Sequence, residues 1–155
     1  MITEDLVFDL KNLSVTYGKG KRKTFAVQDV SVSLGKGETL GVVGESGCGK
    51  TTVAMALMGL LDERTTVEGS MTLLGKEYDL SKMSYKDWQK IRGDKVSMIF
   101  QDSLAALNPM KRIGEQIAEA MYVKKKYSKK HARTRAIELL EMVEIPDPQR
   151  RSRQY

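Results

Sequence analysis

The sequence predicts an α/β fold: antiparallel strands first, then a buried parallel strand feeding a glycine-rich loop and a helix, and finally a helical segment. Three observations carry this. Alternating apolar residues mark the first 35 positions as half-buried strands. "TLGVV", residues 39–43, is apolar on successive positions, as in a parallel strand covered on both faces. Beyond residue 102 strand patterns stop while helical periodicity continues.

Along the chain, "LVFDLKNLSVTY" alternates with a slip: Phe8 and Leu10 share one parity, and Leu13, Val15 and Tyr17 the other. A kink or bulge near Lys11 and Asn12 would reconcile them. "TFAVQDVSVSL" alternates at Val30, Val32 and Leu34, and "GKGE" supplies a turn. "KTTVAMALMGLL" has the spacing of a helix, with Val53, Ala56, Leu57 and Leu60 on one face. "GSMTLLG" predicts a strand, "SYKDWQKIRG" a short helix ending at Gly93, and "KVSMIF" a buried strand that runs into Gln101. "IGEQIAEAMYV" and "SKKHARTRAIELLEMVEI" predict two helices, the second capped by Ser128, striped by Ala136, Leu139, Leu140 and Val143, and ended by Pro146 and Pro148. The chain divides into residues 1–102, rich in strands, and 103–155, helical.

The 155 residues suffice for about one domain. With 41% hydrophobic and 30% charged residues, the composition is that of a folded globular chain. "MITEDLVFDL" lacks the basic start of a secretory signal, and no apolar run approaches the roughly 20 residues that cross a bilayer. One cysteine, Cys48, excludes an internal disulfide, so a reducing, cytosolic location is expected. The net charge of +6 concentrates in "KKKYSKKHARTR", Lys124 to Arg135, with seven Lys/Arg and no acid. Such a run suits nucleic acid or anionic lipid, or else a solvated helix face. Only Tyr127 offers a ring for base stacking, so no nucleic acid is expected.

The chemistry lies in "GESGCGKT", which fits G-x-x-x-x-G-K-[ST] at Gly44, Gly49, Lys50 and Thr51, between a predicted strand and a predicted helix. Gly44 permits a sharp exit from the strand; Gly47 and Gly49, without Cβ, let the backbone approach an anion. Glu45, Ser46 and Cys48 complete a loop whose N–H groups point inward at the head of a helix, where the dipole also favours negative charge. Lys50 reaches the outer phosphates, Thr51 places its hydroxyl on Mg²⁺, and Thr52 offers a hydroxyl to an inner phosphate. A bare glycine turn would explain the glycines but not the Lys-Thr pair. Cys48, near the helix start, sits where a thiolate is favoured. The only histidine, His131, lies far off in the basic helix, so the simple reading of Cys48 is a small residue presenting its backbone N–H.

"VVGESGCGKTT" followed by "KVSMIFQDSLAALNPMKRIGEQIAEAM" resembles the ATP-binding subunit of an ABC transporter, of the oligopeptide/dipeptide permease branch, over essentially the whole chain. The resemblance implies a P-loop NTPase core with an antiparallel β subdomain and the beginning of a helical subdomain. It implies ATP and Mg²⁺ as cofactors, with Tyr17 stacking on adenine, against the plain alternative of a strand-end aromatic. It gives Gly44, Glu45, Ser46, Gly47, Cys48, Gly49, Lys50, Thr51 and Thr52 to the nucleotide. Lys50 and Gln101 would be the catalytic residues, with Thr51 and Gln101 on the metal and Gln101 also facing the attacking water. Implied partners are transmembrane permease subunits, a second ATP-binding subunit and, indirectly, a substrate-binding protein, at the cytoplasmic face of the membrane.

Two departures stand out. Ser103 replaces a proline that often follows "FQD" in that family. "RRSRQY" resembles the lead-in to the family's signature motif, and no apolar run ends in Asp-Glu. The expectation is therefore an N-terminal fragment that binds nucleotide without turning it over. A small-molecule kinase would lack the early strands with Tyr17, and a GTPase would carry an N-K-x-D element. A non-transport ABC ATPase acting on nucleic acid or the ribosome stays as the alternative, favoured by the basic segment.

Overall fold

The computed structural model describes residues 6–18, 20, 22–102, 106–122 and 127–155. The chain forms two compact units, Met1–Ser97 and Met98–Tyr155.

The first unit is built on a four-stranded sheet of order β2-β1-β3-β4, from β1 (Leu6–Tyr17), β2 (Thr24–Gly35), β3 (Thr66–Leu73) and β4 (Lys76–Asp79). Every pairing is antiparallel. The parity slip in β1 is a bulge: the register against β3 jumps between Lys11 and Ser14, and Asn12 takes φ 55°. Its backbone N–H donates to Ser31 Oγ and its amide to Asp29 Oδ1, so side chains replace the lost ladder bonds. Opposite the bulge, a Cβ on Gly69 would stand 2.8 Å from the carbonyl oxygens of both Lys11 and Asn12, so only glycine fits. The bulge turns Leu10 and Leu13 alike into the core beside Val15, Val27, Met71 and Leu73.

The β3–β4 hairpin was not expected from the sequence. Leu74 and Gly75 both take positive φ, the two-residue turn whose twist matches the flanking strands.

Helices α1 (Lys50–Leu57) and α2 (Tyr85–Ile91) close the core through Ala56, Trp88 and Ile91, with Val53 and Leu57 packed beside them. α1 is shorter than its apolar spacing suggests. Gly59, at φ 59°, turns the chain out, with Gly59 N–H donating to Ala56 O and Leu60 N–H to Met55 O.

Two predicted parallel strands do not form. Residues 39–45 and 97–100 carry no strand pairing, and Val43 and Ile99 are 93% and 94% exposed. A strand buried on both faces needs neighbours to take its N–H and C=O groups and layers to cover it. Among the described residues nothing pairs with either segment.

The second unit contains α3 (Ile113–Tyr122), α4 (Lys129–Met142) and α5 (Pro148–Arg151). Ser128 caps α4 as expected, its Oγ accepting from His131 N–H. Ala132 and Ala136 pack on Ala118, and Leu140 is buried one turn further on. Val143, placed in the stripe by spacing, lies past the helix end and is exposed. Pro148 does not merely end a helix; it starts α5 at a position where its missing N–H costs nothing.

Candidate functional site

Residues 44–52 lead from the unpaired segment into α1. Gly47 and Gly49 both take positive φ, 84° and 98°, conformations that cost other residues strain. Gly49 is also pressed against β2: a Cβ there would lie 2.8 Å from Ala26 O and 3.4 Å from Val27 Cγ2. Its missing side chain thus lets the loop sit against the sheet. Gly44 has a different reason from the expected strand exit, since no strand precedes it. A Cβ on Gly44 would stand 2.7 Å from Cys48 Sγ, so the glycine makes room for the thiol folded over it.

The loop is tied by its own lysine. Lys50 Nζ donates to Gly44 O and Glu45 O, each at 2.7 Å, and contacts Cys48 Sγ at 3.5 Å. The ammonium is therefore held inside the curve of the loop. Cys48 N–H donates to Glu45 O at 3.3 Å, closing a turn. This differs from the expected role of Cys48, because in this structure its N–H is spent within the loop. Ser46 and Gly47 form the exposed tip.

At the head of α1 no side chain caps the helix, and Gly49 itself is the N-cap. The N–H groups of Gly49, Lys50, Thr51 and Thr52 have no acceptor among the described residues, while Val53 N–H is the first to bond back, to Gly49 O. Four donors, a helix dipole and one ammonium thus converge at one point, the arrangement that holds an anion. The Thr51 hydroxyl is exposed beside them and is a hard oxygen donor of the kind Mg²⁺ accepts; Mg²⁺ takes few protein ligands when phosphates supply the rest. Among the described residues no group of three His, Cys, Asp or Glu side chains could hold a metal by itself.

Tyr17 ends β1, and its hydroxyl lies 3.3 Å from Thr52 Oγ1 in α1. The sheet therefore brings an aromatic ring to the phosphate-loop helix across 35 positions of sequence. That contact was invisible to motif reading, which sees the tyrosine and the threonine only separately.

Gln101 belongs to the second unit, exposed in a bend. Ser103 lies outside the described residues. His131 is likewise in the second unit, stacked on Tyr127 with ring centroids 5.0 Å apart. No helix of the described residues is long and apolar enough to cross a membrane.

Comparison with known proteins agrees with this arrangement. The family model described as ABC transporter matches residues 27–155. The dipeptide transport ATP-binding protein DppD of Bacillus subtilis is 43% identical over 96% of this chain, and the oligopeptide transport ATP-binding protein OppD of Escherichia coli is 39% identical over 97%. The chain spans 44% of the length of each. Among solved structures, a dimeric ATP-binding cassette, MJ0796, in a post-hydrolysis state bound to ADP and Pi, superposes with TM-score 0.77 at 27% identity. That match covers 95% of this chain and 60% of the other.

Proposed function

The chain belongs to the ABC transporter family of ATP-binding proteins, and on that premise we propose that it acts as the ATP-binding subunit of a peptide importer. The observation that carries this reading is the head of α1, where Lys50 and four unpaired N–H groups face one point beside Tyr17. The peptide cargo rests on the relatives, whose names specify dipeptide and oligopeptide transport.

In this reading Gly44 to Thr52 wrap the phosphates, and Lys50 gives up one carbonyl partner to meet the outer ones as a point charge. Thr51 holds Mg²⁺, and Tyr17 stacks on the adenine ring. Gln101, from the helical part we begin at residue 103, contributes to the metal and to orienting water. ATP with Mg²⁺ supplies the phosphoanhydride whose cleavage provides the work of transport. The chain's own residues bind and orient it; turnover also requires a carboxylate on the metal and a group that positions water, and no apolar run in this sequence ends in Asp-Glu. The partners are transmembrane subunits, a second ATP-binding subunit and, through them, a substrate-binding protein, with the chain at the cytoplasmic face of the membrane.

The nucleic-acid alternative loses ground on α4. Arg133 lies 3.8 Å from Glu115 and Arg135 2.7 Å from Glu138, so two of the basic side chains are already matched. Titration calorimetry of ATP with Mg²⁺ tests the proposal. Lys50→Ala should weaken binding about 10- to 100-fold, since a hydrogen bond to a charged group contributes about 1.5–3 kcal/mol. Unchanged affinity would remove Lys50 from the site and with it the reading.

A further inference from the structure

We propose that the Tyr17 hydroxyl is a positioning group for the phosphate half of the site, acting through Thr52. This rests on the phosphate-loop reading above but adds a role for Tyr17 distinct from base stacking. Tyr17 OH and Thr52 Oγ1 are 3.3 Å apart, and neither hydroxyl makes another hydrogen bond among the described residues. Each could donate. The phenol is the stronger donor, being far more acidic than an aliphatic alcohol. Tyr17 therefore donates to Thr52 Oγ1, which leaves the Thr52 proton to be passed on.

Where that proton points decides the consequence. A threonine in a helix ordinarily turns its hydroxyl back to the carbonyl four residues earlier, which for Thr52 is that of Cys48. No such bond forms here. Held from the β1 side, Thr52 instead keeps its O–H available at the head of α1, beside the unpaired N–H groups of Gly49 to Thr52. A chain from the Tyr17 O–H to Thr52 Oγ1, and from the Thr52 O–H to a phosphate oxygen, strengthens each link by polarising the next. The strand end that carries the base-facing ring thus also tunes the grip on phosphate.

The test separates the ring from its hydroxyl and the base from the phosphates. Binding of ATP and of inorganic tripolyphosphate, each with Mg²⁺, is measured by calorimetry on the wild-type chain and on Tyr17→Phe, Tyr17→Ala, Thr52→Val and the Tyr17→Phe/Thr52→Val pair. Tyr17→Phe keeps the ring and should weaken both ligands by the same factor, about 2- to 10-fold, the effect of one neutral hydrogen bond. In the Thr52→Val background it should cost nothing further. Tyr17→Ala should lose additional affinity for ATP alone. Unchanged tripolyphosphate affinity in Tyr17→Phe, or a loss that persists in Thr52→Val, overturns the inference while leaving the phosphate-loop reading intact. Wild-type binding of neither ligand, or binding indifferent to Lys50→Ala, overturns both.

Discussion

Gly59 and Gly49 show how one residue type serves two ends. At Gly59 an added methyl group would collide with the Trp88 indole, and φ is 59°, so both space and backbone exclude a side chain. Arg92 fixes the same corner, its guanidinium donating to Met58 O at 2.6 Å and to Gly59 O while lying over the Trp88 ring at 5.6 Å. Gly59→Ala is therefore expected to destabilise the first unit by roughly 2–4 kcal/mol, the sum of overpacking and a strained left-handed residue. Urea unfolding monitored by Trp88 fluorescence would read it, and a change below about 0.5 kcal/mol would contradict the packing described. Nothing in the local sequence distinguishes Gly59 from any helix-ending glycine, because Trp88 is 29 positions away. Gly49 was legible as part of a phosphate loop, since four residue types at fixed spacing define that chemistry. Its contact with Ala26 O was not, because it depends on how β2 folds back.

The elements divide along the same line between local and distant causes. The β1 bulge could be read from a parity slip because a strand's two faces are written in its own residues. The parallel strands could not be confirmed that way: an apolar run states what a segment would bury, and the partner that buries it lies elsewhere. Helix α2 is determined locally. Ser84 and Asp87 form a capping box, Ser84 Oγ accepting from Asp87 N–H while Asp87 Oδ2 accepts from Ser84 N–H. The Ser84 hydroxyl, and then Lys90, hold the Asp87 carboxyl down at about 2, and Lys82 with Ser81 does the same for Asp79. Both pKa values lie below that of an unfolded aspartate, near 3.9, so the folded state is favoured above that pH and loses the advantage as pH falls towards 2. An Asp79→Asn/Asp87→Asn variant should melt lower than wild type at pH 6 and lose less on acidification from pH 5 to pH 2.5. Because both carboxylates are exposed, the difference should shrink as salt is added. Parallel melting-temperature curves for the two proteins would rule out these carboxylates as the source.

For the molecule as a whole, the unpaired apolar segments set its behaviour in solution. Leu40, Val42 and Val43 in the first unit, and Ile99 and Phe100 in the second, are all exposed, although each lies in a run with the composition of a strand interior. Burying a valine or isoleucine side chain contributes about 1.5–3 kcal/mol, so several adjacent ones left in water form a strong drive to association. Extended segments with free N–H and C=O groups add a template for edge-to-edge pairing. The phosphate loop follows one of these segments directly at Gly44, so whatever covers residues 40–43 also steadies the start of the nucleotide site. The 155-residue chain should therefore bind an apolar dye and associate with rising concentration. Val42→Lys/Val43→Lys should reduce both while leaving the helical signal of circular dichroism unchanged, and Ile99→Lys should act independently and additively. Light scattering across a concentration series gives the answer: a wild-type chain that stays monomeric and dye-free at high concentration would show that these residues find cover within the chain itself.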